Sequence, residues 1–390
     1  MNVVSTALLT LIYLSFISLG LPDSVLGSAW PAMTVSLNAP LWGAGLIQML
    51  ISFCTIISSL NSARLIRKFG TGRLTAISVA TTALALLGFS LAKNYVFLLL
   101  MAVPLGLGAG AVDAGLNNYV ALHCEAKHMS WLHCFWGVGT IVSPFIMGYA
   151  LTNRTWNSGY RIIGFLQLAI AILLLLTLPV WNINKSATET AGKSVGLVGA
   201  LKIKGVPFLL LGFFAYCALE ATAMQWASTY FVEVKGISTE RAATFAALFY
   251  IGITSGRFAS GFITDKLGDQ KMIRLGTGIL ICGILVLFLP IASYQAAFAA
   301  FLVIGFGCAP IYPCIVHSTP SNFGAENSGA IIGIQMASAY IGTTFIPPIF
   351  GILGNSIGFF ILPLYLLVFV ALMITMVEVT FRITKNRNSL

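Results

Sequence analysis

The chain has 390 residues, 58% of them hydrophobic and only 8% charged, against roughly 25% charged in soluble domains. Its formal net charge is +10, but the basic residues lie in short breaks between apolar runs and form no soluble basic domain, so nucleic acid is not an expected partner. Composition thus excludes a water-soluble enzyme or binding module and leaves a chain whose solvent is lipid.

Crossing a hydrocarbon core of about 30 Å takes about 20 mainly apolar helical residues. That length predicts twelve transmembrane helices, near 5–31, 41–63, 74–92, 95–122, 131–152 and 160–181, then 206–232, 241–264, 273–293, 294–318, 328–354 and 357–381. The apolar runs are continuous and do not alternate, which favours helices over barrel strands. Helix 1 opens without a basic segment and runs past Asp23 to Trp30, so it reads as a membrane helix and not a signal peptide. Helix 2 carries Gln48. Helix 4 is glycine-rich at 106, 108, 110 and 115, the composition of close helix packing, and holds Asp113 with Asn117 and Asn118 one turn later. Helix 5 contains Gly139-Thr140, Pro144 and Gly148. A polar connection over 182–205 leads to helix 7, with Glu220, Gln225 and Trp226. Arg257 lies inside helix 8, and Asp265-Lys266-Leu267-Gly268 follow it. Helix 10 carries Tyr312 and His317, and helix 11 carries Gln335, Gly342-Thr343, Pro347 and Gly351.

With an even number of helices both termini share a side. Fifteen Lys and Arg fall on that side and five on the other, so both termini are placed in the cytoplasm and the chain in the inner or plasma membrane. The positive charge is then topology and contact with anionic lipid.

The two halves repeat. Gly139, Thr140, Pro144 and Gly148 recur as Gly342, Thr343, Pro347 and Gly351, each displaced by 203 positions; Arg67-Lys68-Phe69-Gly70 recurs as Asp265-Lys266-Leu267-Gly268, displaced by 198. The domains read as 1–181, a linker at 182–205 and 206–390. Two six-helix halves with matching motifs resemble the major facilitator superfamily over the full length. Gly256-Arg257, Gly261 and Asp265-Lys266-Leu267-Gly268 are similar to its G-x-x-x-D-R/K-x-G loop, whereas Ala63 and Arg67 depart from that pattern in the first half. The resemblance implies an all-α membrane fold of two pseudo-symmetric six-helix bundles, and a gating role for Arg257, Asp265 and Lys266. An Arg one or two turns from an Asp at a membrane border can make a charge-assisted bond that one helix packing forms and another breaks.

Ionisable groups at membrane depth cost at least about 2.5 kcal/mol each, so those kept are functional candidates. Three acids qualify: Asp23, Asp113 and Glu220. Asp23 and Glu220 are 197 apart, at pseudo-equivalent points of the halves, and are expected to face a central cavity. The sequence offers no evident basic partner within the membrane for any of them, and a carboxylate that ionises on one side and neutralises on the other carries protons. Asn117, Asn118, Gln225, His317 and Gln335 supply donors and acceptors, and Trp30, Trp226 and Tyr312 supply faces on which a hydroxylated solute stacks. Each amide also fits interhelical bonding, and each Trp an interface anchor.

A narrower resemblance rests on Gly110-Ala111-Val112-Asp113-Ala114-Gly115-Leu116-Asn117, on Leu132-His133-Cys134-Phe135-Trp136-Gly137-Val138-Gly139, and on Tyr216 to Glu220 with Trp226 and Tyr230. These runs resemble the fucose/galactose/glucose:proton symporter branch, which implies proton coupling and substrate binding at Asp23 and Asp113. Asp113 stands where that branch has Glu, and Asn118 where a proline often follows. The seven cysteines form no CxxC pair and the four histidines no metal spacing, so neither a metal nor a cofactor is expected. The residues predict a monomeric secondary transporter, not an enzyme, moving a sugar-like solute with protons by alternating access. Two alternatives stay open: proton-driven export of drugs or metabolites, which the Gly139 to Gly148 motif resembles, and a membrane receptor or sensor without transport.

Overall fold

The computed structural model describes residues 4–40, 42–182, 195–237, 239–289 and 294–388. The six helices of the first half are α1 (Thr6–Leu37), α2 (Gly43–Phe69), α3 (Thr71–Leu91), α4 (Tyr95–His123), α5 (Ala126–Asn153) and α6 (Trp156–Leu176). Those of the second are α7 (Val206–Lys235), α8 (Thr239–Ser260), α9 (Asp269–Phe288), α10 (Tyr294–Cys308), α11 (Ala325–Ile357) and α12 (Leu362–Asn388). Among the described residues eleven helices are long and apolar enough to cross a membrane, and α8 is the twelfth long helix. Large apolar side chains such as Phe145 and Leu176, each 75% exposed, point outward; in water they would be a liability, and in lipid they are the contact surface. The chain is a multi-pass membrane protein.

Helix limits follow local chemistry. Ser5 caps α1 through its hydroxyl and Asn94 caps α4 at 2.9 Å, satisfying amides that have no helical acceptor. Several helices run beyond the expected limits, α1 to Leu37 and α5 from Ala126, because polar ends outside the hydrocarbon keep helical hydrogen bonds. The expected tenth helix is divided at Ala309-Pro310 into α10 and a short helix Ile311–His317. Of the expected linker, 183–194 lie outside the described residues.

The chain folds into two compact units. The first is Met1–Cys124, Phe135–Ser194 and Ile332–Ala337; the second is Glu125–Cys134, Val195–Ile331 and Ser338–Leu390. Each unit has the same close approaches inside it. A Cβ on Gly106 would strike the Ile51 carbonyl, and one on Gly305 the Phe249 carbonyl; Gly108 meets Ser78 and Thr82 where Gly307 meets Gly276 and Leu280. Gly139 sits on the Ile17 carbonyl as Gly342 sits on that of Phe214. The loop glycines match in conformation as well, Gly70 at φ 76° and ψ 157° and Gly268 at φ 78° and ψ 158°, a region that only glycine enters without strain. The duplication is thus built into the backbone packing. All seven cysteines are free thiols.

Candidate functional site

In the first unit the site is assembled where α1 meets α5. Pro22 of α1 has no N–H to offer the Ser18 carbonyl, and the Gln167 amide of α6 donates to that carbonyl instead. Pro144 of α5 likewise frees the Thr140 carbonyl, which accepts the Ser24 hydroxyl at 2.6 Å, with Ser143 Oγ 2.9 Å from the same hydroxyl. Backbone groups freed in lipid must find such partners. Near these two capped breaks Gly20 lies against the Trp136 carbonyl and Gly139 against that of Ile17, so the helices touch backbone to backbone. That approach aims the Trp136 indole at Asp23, and Nε1–H donates to Oδ2 at 2.7 Å. Among the described residues this is the side-chain hydrogen bond of the Asp23 carboxylate, and the residue is otherwise exposed.

Asp113, 5% exposed, is held by its own helix. Asn117 lies four residues on, and its amide reaches the Asp113 carboxylate at 2.8 Å and the Asp113 carbonyl at 3.0 Å. The same amide lies 3.9 Å from the Met336 sulfur.

The second unit treats its acid differently. Arg257 Nη2 of α8 lies 3.3 Å from Glu220 Oε1 of α7, with the side chains 3% and 12% exposed. Tyr216, one turn before Glu220, donates to the Cys308 carbonyl at 2.9 Å. Its ring, Phe213 and His133 surround Tyr312, with centroids 6.2, 4.7 and 4.5 Å away. Beyond α8, Asp265 accepts the Lys127 backbone N–H at 3.0 Å and lies 3.4 Å from its ammonium. Lys127 also pairs with Glu125 and, as hydrogen-bond donor and charge, holds that carboxyl below its usual range.

A sequence model of the Major Facilitator Superfamily matches residues 12–347. The chain belongs to that superfamily. Among its relatives, the glucose/mannose transporter GlcP of Bacillus subtilis is 23% identical over 77% of each chain. Bypass of stop codon protein 6 of Saccharomyces cerevisiae is 22% identical over 92% of this chain and 79% of its own length. The fold is that of FucP, a superfamily transporter solved in the outward conformation, with a TM-score of 0.80, 16% identity, and 96% of this chain and 99% of that one covered. A membrane transporter of this superfamily is therefore the frame for the site residues.

Two expectations change within it. Glu220 has a basic partner inside the membrane after all, Arg257, because α7 and α8 pack side by side, which spacing along the chain does not reveal. Asp265, expected to bond Arg257, is engaged by Lys127 of the first turn of α5. Lys266 is exposed. The expected polar and aromatic neighbours do not all converge. Trp30 is buried in the apolar core of the first unit against Tyr95. Trp226 donates to the Pro347 carbonyl at 2.8 Å and packs on Phe350 and Phe359, which makes it part of the α7–α11 seam. His317 ends its short helix, 2.8 Å from Asp269 in the first turn of α9. Gln225 and Gln48 are exposed, Asn118 is partly buried and Gln335 is buried. Three partners are not legible along the chain: Trp136, His133 and Lys127. Trp136 is visible there only as one letter of a motif, and nothing in its spacing from Asp23 gives the contact.

Proposed function

We propose that this superfamily member moves a sugar-like solute coupled to protons, with Asp23 and Asp113 as the titrating acids. The observation that carries the reading is the way Asp23 is held, by an indole N–H on its carboxylate. Neutral donors leave a carboxylate free to gain and lose a proton without breaking an ion pair, whereas Glu220 must part from Arg257 to do so. Asn117 is the side chain we assign to solute hydroxyls. Support for a sugar comes from the names of the relatives, since GlcP is a glucose/mannose transporter and FucP is the fucose:proton symporter of E. coli. Cytoplasmic termini, an inner or plasma membrane location, a monomeric state and alternating exposure of the site belong to the same reading. Arg257, Asp265 and Lys127 take the gating role.

The test is uptake of labelled glucose, mannose and fucose into proteoliposomes under an imposed pH gradient. Asp23→Asn and Asp113→Asn are each expected to lose at least about tenfold in gradient-driven accumulation, the loss typical of a removed proton-transfer group. Uptake in both variants that keeps its wild-type rate and shows no pH dependence would sink the reading.

A further inference from the structure

The repeat supplies a control for the contacts in the site. Advancing Asp23 by the 197 positions that relate α1 to α7 reaches Glu220, and advancing Trp136 by the 203 that relate α5 to α11 reaches Ala339. One close approach beside these positions recurs, Gly139 on Ile17 and Gly342 on Phe214, while Gly20, which lies against the Trp136 carbonyl, is replaced by Cys217 in the second unit. The fold therefore does not require an indole at this point of the seam, because alanine serves there in the second unit. What differs is the acid. In the second unit it has Arg257; in the first it has the 2.7 Å indole bond.

We propose that Trp136 is a positioning residue for the proton on Asp23: its indole N–H holds the ionised carboxylate and sets how readily that carboxylate takes up a proton. The inference rests on the reading of Asp23 as a coupling acid. No other side chain is bonded to Asp23 among the described residues. At membrane depth, the ionisable groups on the elements around it include Tyr13, Cys54, Asp113, Tyr119, His133, Cys134, Tyr149 and Tyr160. Of these, Tyr13 stacks on Phe135, Asp113 is held by Asn117, His133 lies on Tyr312, Cys134 reaches the Thr254 carbonyl at 3.7 Å and Tyr160 packs on Phe89. Of the Lys and Arg of these helices, Arg67, Lys68, Arg73 and Lys127 lie in end turns, and Arg64 and Arg161 lie one turn further in. The hydrogen bond from Trp136 is thus the directed local influence on the Asp23 charge. A donor stabilises the ionised form more than the neutral one, so removing it lets the proton bind at higher pH.

Infrared titration of the purified protein in lipid tests this without a substrate. The carboxylic-acid C=O band that disappears in Asp23→Asn belongs to Asp23, and its pH midpoint is measured in wild type and in Trp136→Phe. A bond to a charged acceptor predicts an alkaline shift of about one to two pH units. Because Trp136→Phe also changes packing, a second protein carries the benzothiophene analogue of tryptophan at 136, which keeps the ring volume and lacks the N–H; the same shift is expected. A midpoint unchanged in both proteins overturns the inference, as does loss of folding without a shift in the analogue protein. Failure of glucose, mannose and fucose uptake in the wild type would count against the transport reading alone, since the titration needs no solute.

Discussion

Asp23 and Glu220 stand at matched points of two units built on the same backbone packing, yet one is held by an indole and the other by a guanidinium. A duplication copies the seam between helices easily, since glycines at carbonyls need only small side chains. It does not copy the electrostatics. The neutral donor leaves Asp23 able to change charge at the cost of one hydrogen bond, while the ion pair in the second unit makes any change of charge at Glu220 strand Arg257 in the membrane. One fold thus hosts an acid on a neutral donor and an acid on a cation.

The contrast breaks most sharply at the ion pair. Arg257→Ala leaves Glu220 as a buried charge without its partner and is expected to lower stability by about 3–5 kcal/mol in denaturant unfolding in mixed micelles, with the Glu220→Leu/Arg257→Met double variant recovering most of it. A single variant as stable as wild type would mean the pair is not formed. The seams themselves give a smaller and more graded effect. Gly139→Ala is expected to cost about 1–3 kcal/mol, and more than Gly342→Ala, since the Cβ on Gly342 would lie 2.8 Å from the Phe214 carbonyl while that on Gly139 would lie closer still to Ile17. Equal costs in thermal melts of the two variants would remove the ranking. Least is expected from Lys127→Ala, because its partners Glu125 and Asp265 are 48% and 33% exposed. A melting temperature lowered by no more than about 2 °C, with the difference vanishing at high salt, is the outcome that separates an exposed ion pair from the buried one.

Much of the fold was legible because lipid imposes a single strong rule: twelve apolar runs of sufficient length must be helices. The repeat was legible too, since Gly139 and Gly342 are needed where helices touch and Gly70 and Gly268 at a backbone conformation, so their identities cannot drift. The acids could be read as costly at membrane depth. Their partners could not, because Trp136 is 113 residues from Asp23 and Arg257 is 37 from Glu220, and a contact between helices leaves no trace in the spacing of either one. For the same reason Trp30 and Trp226 looked like ligand faces when each is committed to its own unit. An aromatic ring carries no mark of which neighbour it meets.

The Gln167 amide on the Ser18 carbonyl has one more consequence. A proline break in a helix is a natural pivot, but a pivot whose loose carbonyl is clamped by another helix is no longer free. For α1 to straighten or bend further at Pro22 it must drag α6 along or leave a polar group bare in oil. Gln167 thereby turns a two-part rod into a yoked pair, and the segment of α1 that bears Asp23 swings only in step with its yoke.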